Sequence, residues 1–303
     1  MNMLAGSLFV ALMAMLAPAA GAQTQPAGLS YEGKTVLVTG STDGLGREIA
    51  RALAAQGAHV IVHGRSIERG KAVIDEITRG GRGSASFHAA DFGSMADVRS
   101  FAEEIAQTYP RLDLLVNNAG IAIVGDRPRQ TSRDGHELQF AVNYLAGWVL
   151  TNKLRSNLAE AAPSRVINIS SIAANPIDFD DVMLEAPGAH ARGYGQSKLA
   201  QVTMTAALAP AFAEQGITMI ALHPATMMDT TMVRQMGAPA RTSVDEGRDH
   251  VLSLINAPSL EPGAFYVEGK AVPPRDPQSL DKGAQERLLA LSAELTGVEA
   301  MLP

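Results

Sequence analysis

The stretch Thr35-Val36-Leu37-Val38-Thr39-Gly40-Ser41-Thr42-Asp43-Gly44-Leu45-Gly46-Arg47 decides the fold of this chain. A short β-branched run reads as a strand, and three glycines in the pattern GxxxGxG follow it directly. Glycine there permits a tight turn, close approach of phosphate oxygens to backbone N–H groups, and tight packing of the helix beyond. Gly40, Ser41, Thr42, Gly44, Leu45 and Gly46 are therefore a candidate phosphate cradle. An ordinary Gly-rich turn gives the same pattern, so its meaning depends on the sequence around it.

From Lys34 onward, short β-branched runs alternate with longer segments of helical period, the signature of βαβ units and a parallel sheet. Strands are expected at 35–39, 59–63, 84–89, 112–116, 165–170, 218–223 and 264–267, with helices near 45–56, 67–79, 95–108, 132–160, 194–215 and 244–256. Leu280, Leu288, Leu291 and Leu295 recur at helical spacing near the end and predict a last amphipathic helix. The expectation is an α/β protein with a single doubly wound (Rossmann) domain over 30–303 and about seven parallel strands flanked by helices.

The 303 residues are 46% hydrophobic and can bury one large core. The net charge of -6 comes from mixed signs without a Lys/Arg run, which speaks against nucleic-acid binding. Absence of cysteine excludes disulfides and thiolate chemistry, and none of the seven histidines forms a His-x-His pair, so no metal is expected. Residues 1–22 read as a signal peptide or membrane anchor: an apolar run from Leu4 to Ala17 precedes Ala20-Gly21-Ala22. No Lys or Arg comes before that run, so initiation at Met13 or Met15 is the other reading. The first reading implies an exported or membrane-proximal protein, the second a cytoplasmic one.

At the end of the second strand, Arg65 and Ser66 stand where a dinucleotide-binding fold reads the adenosine ribose. A carboxylate there would take free ribose hydroxyls. The guanidinium fork of Arg65 instead suits a 2′-phosphate, so NADP is favoured over NAD. Asp91 and Phe92 follow the third strand, and Asn117, Asn118, Ala119 and Gly120 the fourth, again at the sheet edge where open α/β folds bind ligands.

Tyr194 and Lys198 lie four residues apart on an expected helix and so share a face. With Asn143 and with Ser171 at the end of the fifth strand, they complete a set that resembles the short-chain dehydrogenase/reductase family. The matching segments, Thr39 to Gly46, Asp91-Phe92, Asn117 to Gly120, Val142 to Tyr144, Asn168 to Ser171, Tyr194 to Lys198 and His223-Pro224, occur in the family's order. The resemblance implies an NAD(P)-dependent oxidoreductase acting on carbonyl and alcohol groups, with Asn143, Ser171, Tyr194 and Lys198 as the catalytic tetrad. It also implies that Tyr194 and Lys198 touch the nicotinamide ribose and that Pro224 and Thr226 hold the carboxamide. Ala225 stands where the family usually has Gly. A cation about 4 Å from the phenol is expected to bring Tyr194 to a pKa of about 7 or 8.

Ser171 and Tyr194 are 23 positions apart, and the stretch from Ala174 to Arg192 is an insertion similar to that of the retinol-dehydrogenase and WW-domain-oxidoreductase branch. Met228, Met232 and Met236 recur every four residues, as a lid stripe or as plain packing. Both features suggest an apolar or bulky substrate. His190, close before Tyr194, reads more readily as a loop histidine than as a substrate contact. A catalytically silent NADP(H)-binding sensor on the same fold is the alternative, and a homodimer or homotetramer is the family expectation.

Overall fold

The computed structural model describes residues 30–123 and 128–300. The expected leader at 1–22 lies outside the described residues. Eight strands form one sheet in the order β3-β2-β1-β4-β5-β6-β7-β8. β1 (Thr35–Val38), β2 (His59–Gly64), β3 (Ser84–Ala89), β4 (Leu114–Asn117), β5 (Ser164–Ile169), β6 (Ile217–His223) and β7 (Phe265–Val267) run parallel. The order reverses between β1 and β4, which opens a crevice at their carboxyl ends.

Side-chain alternation along the strands fixes which helices cover which face. Leu37, Ile61, Leu115, Val166 and Met219 join a core with Phe101, Phe140, Trp148 and Phe212. Their neighbours Val36, Val38, Val60, Val62, Leu114, Val116, Ile167 and Ile220 join Ile49, Leu53, Val73 and Val251 on the other face. A slip of one residue in any strand would exchange the two sets. The first core draws on α3 (Met95–Thr108), α5 (Ala146–Lys153), α7 (Gly193–Ala213) and α10 (Lys282–Thr296); the second on α1 (Gly44–Ala55), α2 (Ile67–Gly80) and α9 (Val244–Ile255). The early helices start where the sequence places side-chain caps: Asp43 for α1, Ser66 for α2 and Ser94 for α3.

Three expectations need correction. An eighth strand, β8 (Lys270–Val272), pairs antiparallel with β7 through a two-residue turn. Glu268 and Gly269 both have positive φ (49 and 80), the geometry that lets a tight hairpin follow the strand twist. The helix expected over 132–160 is broken. Gly135 adopts φ 84, and Glu137 caps α4 (Leu138–Phe140), whose coil widens into a π turn at Ala141–Leu145 before α5 and α6 (Arg155–Glu160). Leu280 does not join the stripe of the last helix. It sits in a 3-10 turn at 54% exposure, while the buried side of α10 is made by Ala284, Gln285, Leu288, Ser292 and Thr296.

That last helix is bound to the body by polar as well as apolar contacts. Tyr144 and Ser292 share a hydrogen bond of 2.6 Å, and Trp148 Nε1 donates to Val298 O at 3.0 Å. The insertion at 174–192 holds only the 3-10 turn Ala189–Arg192. Gln196, which takes Asp178 N and donates to Val182 O, and Gln278, which bonds both backbone groups of Ile177, tie it down.

Candidate active site

The glycine loop is braced from three sides at the carboxyl edge of the sheet. Thr39 Oγ1 accepts the N–H groups of Asn118 and Ala119, each at 3.0 Å, and Asn118 Nδ2 donates to Thr39 O and Gly40 O. Gly40 (φ 63) and Gly44 (φ 52) take left-handed conformations. A Cβ on Gly40 would stand 2.8 Å from Ala119 Cα, and one on Gly46 only 2.4 Å from both Gly40 O and Asn118 Nδ2. The first turn of α1, with Leu45 and Gly46, has no intrahelical acceptors for its N–H groups, and Asp43 satisfies that of Gly44 at 2.7 Å. Such an N-terminus suits a pyrophosphate.

Side-chain roles within the loop differ. The Ser41 hydroxyl is fully buried, donating to Val38 O and accepting His63 N, so it closes the turn. Thr42 packs on Gly64, where a Cβ would meet it at 2.6 Å. Arg65 is exposed beyond β2, with no carboxylate partner among the described residues, while the Ser66 hydroxyl accepts Arg69 N as a helix cap. Asp91 takes Gly93 N at 3.1 Å and Arg133 at 3.4 Å, and Phe92 is buried against the His63 ring, centroids 4.0 Å apart.

His63 is the residue that sequence reading missed. Its Nδ1 accepts Gly40 N at 3.1 Å and its Nε2 reaches Ala90 O at 3.2 Å. Burial lowers its pKa to about 4, which keeps the ring neutral with the proton on Nε2. The available signal was one titratable side chain in the apolar strand Val60-Ile61-Val62-His63.

Opposite, Ser171 leaves β5 while Tyr194 and Lys198 stand on the first turns of α7. Close approach brings them together: a Cβ on Gly195 would fall 2.7 Å from Ala173 O. A hydrogen bond joins Ser171 to the Tyr194 side chain. Lys198 is buried, and its Nζ donates to Ile169 O at 2.8 Å and to Gln201 Oε1 at 3.1 Å, lying 5.6 Å from the Tyr194 ring centroid. Asn143 sits in the π turn, a deformation common at functional sites. Its Oδ1 accepts Ile121 N, and its Nδ2 donates to Ile121 O and to Ser197 Oγ. Gly120 lies between the two groups: its Cβ would be 3.4 Å from Asn143 Oδ1 and 3.6 Å from Lys198 Nζ.

The electrostatics differ from the simple pair picture. Burial raises the Tyr194 pKa above its ordinary value, and the Ser171 hydrogen bond only partly opposes this. Burial also pulls Lys198 down to about 7. The expected pKa of about 7 or 8 for Tyr194 assumed a fully charged lysine at contact distance. In the protein both charged forms are disfavoured by the same desolvation.

Beyond β6, Pro224 O accepts His250 Nδ1 at 2.8 Å, and the Thr226 hydroxyl bonds His223 Nε2 at 3.1 Å. Ala225 does not take a left-handed conformation; Met227 does, with φ 53, so alanine is tolerated after Pro224. The methionines do not form one helical stripe. Met228 precedes α8 (Thr231–Gln235) and packs towards Gly247 of α9. A groove of about 680 Å³ between α1, α8 and α9 lies apart from Tyr194 and Lys198. Its arginines are engaged by acidic neighbours, Arg47 by Glu76, Arg51 by Glu48, Arg234 by Asp229 and Arg248 by Asp245.

Residues 34–240 match the description of the short chain dehydrogenase family. The chain is 34% identical to human retinol dehydrogenase 13 over 91% of this chain and 88% of the human protein. It is 32% identical to mouse retinol dehydrogenase 12 over 88% and 87% of the two chains. Among solved structures, an uncharacterised protein of Mycobacterium paratuberculosis superposes with TM-score 0.74 at 27% identity, covering 91% of this chain and 97% of that one. A 3-oxoacyl (acyl-carrier-protein) reductase of Agrobacterium tumefaciens with NADP bound gives 0.65 at 26% identity, covering 78% and 93%.

Proposed function

Because the chain belongs to the short-chain dehydrogenase/reductase family, on its retinol dehydrogenase side, we propose that it is an NADP-dependent oxidoreductase for bulky apolar alcohols or the matching carbonyls. Retinol is the substrate class that the names of its relatives carry. The observation that carries the reading is the meeting of Ser171, Tyr194 and Lys198 at the sheet edge that the glycine loop shares.

The bound nicotinamide would supply the hydride. Gly40, Thr42, Gly44, Leu45 and Gly46 would hold the pyrophosphate at the α1 N-terminus, with Asp91, Phe92, Asn118, Ala119 and Gly120 beside the adenosine and Pro224 and Thr226 near the carboxamide. Exposed Arg65 and partly buried Ser66 are the candidates for a 2′-phosphate, which supports NADP. Ser171 would hold the substrate oxygen while the Tyr194 hydroxyl gives that oxygen a proton in carbonyl reduction and takes it back in alcohol oxidation. Lys198 would bond the ribose with its remaining donor and stabilise the phenolate whenever it is charged. Asn143 would shape the proton path by fixing the π turn on Ile121 and Ser197. The insertion at 174–192 and the segment from Met228 to Met236 are proposed as the substrate-selecting walls.

The test is NADPH oxidation by the full chain with all-trans-retinal and a panel of aliphatic and aromatic aldehydes and ketones, run beside Tyr194→Phe. Turnover with apolar carbonyls that vanishes in Tyr194→Phe, which still binds cofactor, is the expected result. Undiminished turnover in that variant overturns the mechanism, and activity confined to small polar sugars overturns the substrate class.

A further inference from the structure

Lys198 needs its charge to support the proposed proton transfer, and burial works against that charge. Its surroundings offer little electrostatic help. Among the described residues no carboxylate contributes to its proton affinity. Tyr194, on the same helix, is itself pushed towards its neutral form. His223 on β6 is the other titratable group that Lys198 influences, and burial keeps it neutral at and above pH 7. Asn143 in the π turn and Ser171 beyond β5 carry no charge. What remains are two dipoles at the ammonium: the Ile169 carbonyl at 2.8 Å and the side-chain carbonyl of Gln201 at 3.1 Å.

Of the two, only the second is a side chain. Gln201 stands three residues after Lys198 on α7, where side chains of a helix are neighbours. It is 2% exposed, and its backbone O is held by the Thr205 hydroxyl at 2.7 Å. A buried amide is retained at a cost unless it is satisfied, and its oxygen is satisfied by the lysine. We propose that Gln201 is a positioning residue of the active site, whose carbonyl dipole keeps Lys198 protonated and aimed past Gly120 towards the cofactor. The proposal rests on the reading of Tyr194 and Lys198 given above. Hydrogen bonds to a charged group are among the stronger ones, so losing this one is expected to move the lysine by about one pH unit, a tenfold change in its charged fraction above the midpoint.

The coupling makes matching predictions for two measurements, which a purely structural role would not. In Gln201→Met, nearly the same size without the carbonyl, Lys198 loses its proton earlier as pH rises. The falling limb of kcat for reduction of all-trans-retinal by NADPH then moves down by about one unit, since reduction needs the charged lysine. The Lys198 midpoint itself moves down by the same amount, read from the NMR signal of the labelled lysine Cε that Lys198→Met lacks, in the free enzyme and with NADP+ bound, which needs no substrate. Gln201→Glu restores an acceptor with a full charge and moves that midpoint up, so a poorly folding Gln201→Met still leaves a decisive variant. An unshifted Lys198 midpoint in the variants, with Tyr194→Phe inactive, overturns the role of Gln201 alone. Full turnover in Tyr194→Phe overturns the catalytic reading beneath it.

Discussion

Nδ1 of His63 accepts the backbone N–H of Gly40 at 3.1 Å, joining the end of β2 to the turn that begins the glycine loop. The same ring reaches Ala90 O and stacks on Phe92, so one side chain sets three loops against one another. It does so only as a neutral ring, since a proton on Nδ1 would face the N–H of Gly40. The folded pKa of about 4 lies below the ordinary 6.5, so the unfolded chain binds the extra proton first. The contribution is complete above pH 6.5 and is lost as pH falls from there to about 4, about 3 kcal/mol in all. Urea unfolding between pH 4 and 7 is expected to show this slope in the wild type. His63→Asn, which keeps an acceptor near Gly40 N, loses the slope, and an unchanged slope in that variant refutes the assignment.

Gly46 is fixed by its neighbours. An added Cβ would stand 2.4 Å from Gly40 O, a backbone atom that cannot swing aside, and 2.4 Å from Asn118 Nδ2. Gly46→Ala must therefore push α1 from the loop, at a cost of about 1–3 kcal/mol. Cofactor affinity is expected to fall about tenfold or more, because the N–H groups of the α1 N-terminus move with it. Calorimetric titration with NADPH checks this, and wild-type affinity would mean that the loop does not cradle the phosphates.

Much of this was legible in the sequence because the deciding residues are glycines and β-branched runs, whose constraints are local. The GxxxGxG turn and the seven parallel strands belong to that class. What escaped depends on contacts distant in sequence. Asp113 holds Lys34 Nζ and Thr35 N, so β4 begins at Leu114 instead of Leu112. His63 matters through Gly40 and Ala90, 23 and 27 residues away. Helix period predicted continuous helix over 132–160, whereas the Asn143 amide, bonded to Ile121 and Ser197, fits a π turn in that segment. The Leu280 spacing failed because Pro277 opens a separate 3-10 turn before α10 begins.

Arg65 decides cofactor choice in the proposed function. It is exposed at the end of β2 beside the Ser66 cap, without a carboxylate among the described residues to neutralise it. Arg65→Ala is expected to raise the KM for NADPH about tenfold or more with little change in kcat, and to leave the KM for NADH nearly unaltered, because only the 2′-phosphate loses its partner. Equal effects on both cofactors would assign Arg65 to general electrostatics.

Lys198 shows what the site costs the fold. Its folded pKa of about 7 lies well below the ordinary 10.5, so the unfolded chain holds the extra proton between those values. Stability therefore rises with pH from about 7 to 10.5, and at or below pH 7 the whole burial penalty is present, on the order of several kcal/mol. Lys198→Met removes the charge and keeps most of the volume. Its Tm is expected to exceed that of the wild type by about 5–10 °C at pH 6.5, and the gap is expected to narrow towards pH 10 as the wild-type lysine becomes neutral in both states. Carbonyl reduction falls to background at every pH. Differential scanning calorimetry at the two pH values checks the stability arm, and a destabilised Lys198→Met would mean that the hydrogen bonds to Ile169 and Gln201 outweigh the cost of burying the charge.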